Sequence, residues 1–150
     1  MMQRELHVTK FQLDEIVSTY NIQVEVMRHY LNMNNGEVVR VPIYNKNKDD
    51  KELAKIIKDG LNEHYFLIPH ITSSEGSSDI YDFTETVSNP ELKDKLSNVL
   101  KGSRNVFRKY NDLLLADFDE SQRYYTFVQE SNRNRVLKWL ESIDIKLIVD

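Results

Sequence analysis

The chain contains no cysteine, and that absence removes a disulfide framework, a thiol nucleophile and every cysteine-based zinc site. It accords with a reducing compartment. Glycine and proline are scarce, four and three in 150 residues, and none of the glycines belongs to a loop of the kind that cradles phosphates. No apolar run approaches the ~18 residues of a membrane span. Met1–Lys10 lacks the apolar centre of a secretory signal, so the expected compartment is the cytoplasm and no membrane partner is expected. The four histidines, His7, His29, His64 and His70, are scattered, and no His-Glu-x-x-His ligand run occurs. His64 and His70 flank an extended segment, where a separation of six residues spans roughly 20 Å, too far to share a metal. Serines crowd Thr72–Ser78, yet there is no nucleophile elbow. The enzyme reading is thin, and no catalytic residue, metal ligand or cofactor is nominated.

What is present is an ordinary globular composition, 40% hydrophobic and 29% charged, in a length that suits one domain, here residues 1–150. The net charge of −4 is unevenly spread. Asp49–Pro90 holds three lysines against nine acids, whereas Glu91–Asp150 holds eleven cations against ten acids. An acidic middle is followed by an arginine-bearing end.

Thr9 and Gln12 have capping-box spacing, and Leu13, Ile16, Val17 and Tyr20 recur on one face of a helix that ends at Asn21. Val24–Asn32 and Glu37–Ile43 read as two strands of a hairpin closed at Asn34–Asn35–Gly36, a tight turn. Pro42 marks an edge or a strand end. Asp49 or Asp50 caps a helix with Leu53, Ile56, Ile57 and Leu61 on one side. Tyr65–Ile68 is a short strand stopped by Pro69, and Thr72–Ser78 is a flexible loop. Ser78 or Asp79 then caps a helix with Ile80, Phe83 and Val87 inward. Asn89–Pro90 opens the next, with Leu92, Leu96, Val99 and Leu100 as its apolar face. After Gly102, Ser103 caps a helix burying Val106, Phe107, Tyr110 and Leu114. Glu120–Ser142 is a long helix, and Ile145–Val149 a strand. The expected class is α+β: a small antiparallel sheet containing the hairpin, one or two extra strands, several packed helices and a helix-rich C-terminal half.

An ordered series of short motifs runs through the chain: Tyr30–Leu31, Gly36–Glu37–Val38, Leu67–Ile68–Pro69, Gly102 with Phe107–Arg108–Lys109–Tyr110 and Asp112, Tyr124–Tyr125 with Phe127, and Trp139–Leu140 before Ile143. In order and spacing this resembles the bacterial uncharacterised protein family 0158 over about Val24–Ile148. The resemblance implies a shared fold and no chemistry. Against the family's pattern, Asn105–Val106 replaces a small pair, Tyr124 replaces a tryptophan, and Asn132 and Arg135 stand where apolar residues are usual.

The surface that stands out is cationic. Lys101, Arg104 and Arg108 are spaced three and four apart, as on one side of a helix, with Lys109 adjacent. Arg133 and Arg135, on the following helix, add charge, and Tyr124 borders the set. Arg108 and Asp112, four apart, have the spacing of an internal pair. Asp79, Asp82 and Glu85 form an acidic group that helix capping accounts for. The expected function is a non-catalytic binding or regulatory protein that engages a macromolecular partner through its C-terminal helices. A protein partner ranks first. A nucleic acid bound through the Arg/Lys stripe ranks second, and a small acidic inhibitor using Asp49–Pro90 third.

Overall fold

The structure, a computed structural model, describes residues 3–23 and 26–150. The chain forms two compact units, one from Met1–Ile71 with Asn132–Asp150 and one from Thr72–Ser131. Helices outweigh strands, and the class is α+β, as the sequence patterns indicate.

The first unit begins with β1 (Arg4–Val8), which turns Leu6 and Val8 inward. Thr9 caps α1 (Lys10–Tyr20): its hydroxyl accepts from the Gln12 N–H, and the Gln12 side chain accepts from the Thr9 N–H. The expected face of Leu13, Ile16, Val17 and Tyr20 is buried. β2 (Met27–Asn32) and β3 (Val38–Pro42) form the hairpin, with Leu31 opposite Val38. The part of the first strand expected at Val24 and Glu25 lies outside the described residues. The connection is longer than a two-residue turn: the Asn32 N–H bonds Glu37 and the Gly36 N–H returns to Asn32, and only Gly36 of this loop has positive φ, +75°. Pro42 ends an edge strand, as expected.

α2 (Lys48–Asp59) is capped by Asn47, not by Asp49 or Asp50; Asp50 instead reciprocates from the third helical position. Of its expected apolar face Ile57 is buried, while Ile56 and Leu61 are exposed. The helix packs mainly against the edge strand β3, and so narrow a surface covers a correspondingly narrow stripe. β4 (Tyr65–Leu67) pairs antiparallel with β2, giving the order β3-β2-β4.

The last strand, β5 (Ile145–Val149), does not extend that sheet. It pairs in parallel with β1, Arg4 opposite Ile145 through Val8 opposite Val149. Within β1, Leu6 and Val8 are the buried alternation, too short a run to separate from a loop by periodicity. The core joins Leu6, Val8 and Ile145 to Ile16, Val17, Leu31, Val136 and Leu140.

In the second unit, α3 (Ser73–Glu85) starts where a flexible loop is expected. Thr72 and Glu75 form a capping box that satisfies two N–H groups reciprocally, and this overrides the weak helix preference of the serines. Asn89 accepts from the N–H groups of Glu91 and Leu92 and opens α4 (Pro90–Leu100). α5 (Val106–Leu115) is preceded by Asn105 in a left-handed conformation, with no side-chain cap; Ser103 does not serve. α6 (Phe118–Ser142) begins in this unit, and its residues from Asn132 onward belong to the first. Phe83, Leu96, Tyr110 and Leu114 are buried together. Tyr124 and Phe127 meet the Phe83 ring edge-on at 5.0 and 5.6 Å.

Gly36 ties the hairpin loop to β1. A Cβ there lies 2.8 Å from Val8 Cγ1, and the Asn35 carbonyl accepts from Gln12 Nε2 at 2.9 Å. Gly36→Ala therefore combines an unfavourable φ with a clash, and urea denaturation is expected to show a loss of about 1–3 kcal/mol.

Candidate functional site

The expected cations do not share one helix side. Lys101 is the C-cap of α4, Arg104 lies in the connecting turn, and only Arg108 and Lys109 are on α5. The left-handed Asn105 breaks the helical register that spacing alone suggests. All four are exposed, and among the described residues none takes part in an ion pair. Arg108 is thus not paired with Asp112.

The same segment carries unburied apolar side chains. α5 turns Tyr110 and Leu114 to the core, with Val106 and Leu113 partly covered. That leaves Phe107 52% exposed, against the expectation that it is buried. Leu115, 72% exposed, follows two turns later on the same side, and Phe118 is 74% exposed at the start of α6. Spacing alone groups Phe107 with Val106 and Tyr110 on one apolar face, whereas the helix leaves Val106 partly covered and Phe107 exposed.

The other cations are engaged. Arg133 reaches Asp14 at 3.4 Å, and Arg135 donates to Asn132 Oδ1 at 2.9 Å. Asn132 is buried and donates to Asn21 Oδ1, also at 2.9 Å. The two polar residues at family-apolar positions therefore satisfy one another and the end of α1. Both arginines belong to the first unit and the Lys101–Lys109 set to the second. Arg123 grips Glu120 through two bonds, donates to Thr86 Oγ1 at 2.7 Å, and lies 4.4 Å over the Phe83 ring.

Tyr124 packs in the second unit's core. Burial first, then Tyr110 and Asp79, push its phenol up to about 12. The Tyr110 hydroxyl meets Thr84 Oγ1 at 2.7 Å, and burial raises its pKa despite that bond.

The acidic group separates too. Asp79 is buried, Asp82 accepts from Ser78 at 3.4 Å, and Glu85 pairs with Lys93 at 3.6 Å. Among the described residues no three His, Cys, Asp or Glu side chains gather to hold a metal. Folding brings together one pair that the linear spacing keeps apart: His29 Nδ1 lies 3.3 Å from His70 Nε2. The chain folds back between residues 29 and 70, so spacing held no signal. Burial, then His70 and Arg40, lower the His29 pKa.

Residues 7–150 match the Uncharacterised protein family (UPF0158). The chain belongs to that family. The UPF0158 protein PA5073 of Pseudomonas aeruginosa is 27% identical over 118 residues, which is 79% of this chain and 74% of that protein. No solved structure matches. In this UPF0158 chain, Tyr110 and Phe127 of the motif series lie in or against the second unit's core, while Arg108 and Lys109 face outward. Among the described residues no helix is long and apolar enough to cross a membrane.

The raised Tyr124 phenol makes stability depend on alkaline pH. The folded chain holds this proton more tightly than the unfolded chain, so the contribution is complete below about pH 10 and is lost as pH rises towards 12. Tyr124→Phe is expected to flatten that loss, on the order of 2 kcal/mol, in denaturant melts between pH 9 and 12.

Proposed function

We propose that this UPF0158 protein is a non-catalytic binding protein of the regulatory kind. It engages a partner protein through the segment from Lys101 to Phe118, and the matching partner surface is an apolar pocket rimmed by carboxylates. One observation carries the reading: the segment from Lys101 to Phe118 carries both Lys101, Arg104, Arg108 and Lys109, without ion-pair partners among the described residues, and the exposed Phe107, Leu115 and Phe118. Aromatic side chains and arginines are the residue types enriched at the centre of protein interfaces. The fold does not require these side chains, because Tyr110, Leu114, Phe83 and Leu96 form the core behind them.

A nucleic acid fits less well. Thr72–Ser131 as a whole carries eleven acids against seven cations, whereas phosphate binding favours a broadly basic face.

Affinity capture with wild type, Arg104→Glu/Arg108→Glu and Phe107→Ser/Phe118→Ser, followed by titration of the purified captured protein, tests the proposal. Both variants are expected to bind at least about tenfold more weakly, with a shallow salt dependence for wild type. Wild-type affinity in both variants would overturn the reading. Capture of nucleic acid, released steeply as salt rises, would replace it with the phosphate-binding alternative.

A further inference from the structure

A groove of about 370 Å³ opens in the first unit, between α2 and the outer face of the hairpin. Strand alternation explains its lining. His29 and Leu31 turn towards the core, so Arg28 and Tyr30 turn to the opposite face, where Arg28 lies across from Val41. α2 covers only part of that face, through Ala54 and Ile57. The connection from β3 to α2 then bends at Asn45, with φ +56°, and Lys46 enters the lining half-buried. Lys58, in the last turn of α2, completes it.

The charge is one-sided. Arg28, Lys46 and Lys58 line the groove, no lining residue is acidic, and none of the three cations takes part in an ion pair among the described residues. The neighbouring Arg40 behaves differently: it is on the core side of the hairpin and pairs with Glu15 on α1. Cations without carboxylate partners around one concavity suit a dianion, which they can hold through charge-assisted hydrogen bonds. The other lining residues, Tyr30, Val41, Pro42 and Ile57 among them, are apolar or aromatic, and the volume suits one small molecule.

We propose that this groove binds a small phosphorylated ligand bearing an apolar ring, of the nucleoside monophosphate kind. Arg28, Lys46 and Lys58 hold the phosphate, and Tyr30, Pro42 and Ile57 receive the ring. Arginine supplies a bidentate fork and each lysine a point charge. The site is separate from the Lys101–Phe118 surface, and either stands if the other fails.

Calorimetric titration of the full chain with adenosine 5′-monophosphate, phenyl phosphate, adenosine and inorganic phosphate tests this, with amide chemical shifts locating the site. At least one aromatic phosphate is expected to bind saturably and shift Arg28, Tyr30, Val41 and Ile57. Adenosine and inorganic phosphate are each expected to bind about tenfold more weakly. Lys46→Gln/Lys58→Gln and, separately, Arg28→Gln should weaken the aromatic phosphate at least about fivefold at unchanged melting temperature. No binding of either aromatic phosphate at millimolar concentration would overturn the proposal. So would equal binding of adenosine or of inorganic phosphate, or wild-type affinity in both sets of folded variants.

Discussion

β1 and β5 lie side by side in parallel, a pairing between strands far apart in sequence. The backbone bonds at the two margins of the pair, Arg4 N–H to Asp144 and Asp150 N–H to Val8, link residues from opposite ends of the numbering. Such a pairing forms only after a long loop is closed. It is stabilised because Leu6, Val8 and Ile145 bury their side chains in the core that α1 and the hairpin share with Val136 and Leu140. The intervening Thr72–Ser131 segment folds around its own centre, with Phe83, Tyr110 and Leu114. Each unit is thus held by interior contacts of its own, and outward side chains are released from structural duty.

This division separates structural cations from available ones. Arg123 and Arg133 have carboxylate partners, and Arg135 supports a buried asparagine. Lys101, Arg104, Arg108 and Lys109 have none among the described residues, and neither do Arg28, Lys46 and Lys58. Exposed ion pairs contribute little to stability, so an unpaired cation is unremarkable alone. Grouping gives it meaning: one set shares a segment with exposed rings, and the other lines a concavity without a carboxylate.

Much of the fold was legible because local chemistry decided it. Thr9 with Gln12, Asn89 with Pro90 and Gly36 each carry a backbone requirement that few other residues meet. Legibility failed where non-local contacts decided. β1 shows only Leu6 and Val8 to the periodicity test, and its strand character comes from a partner far away in sequence. The Thr72–Ser78 stretch looks like a linker by composition, yet Glu75 closes a capping box within it. The candidate surface was legible in residue type but not in arrangement. A spacing of three and four assumes a continuous helix, and Asn105 interrupts it between Arg104 and Arg108. The His29–His70 pair and the groove beside α2 are tertiary products with no linear signature.

The central claim, that the β1–β5 pairing is an integral part of the first unit's core, is tested most directly by amide hydrogen exchange resolved by residue. The ladder amides of Leu6, Val8, Lys146 and Ile148 are expected to open with the same free energy as those of Ile16 and Val17 in α1. Fast exchange at Lys146 and Ile148 while α1 stays protected would contradict it.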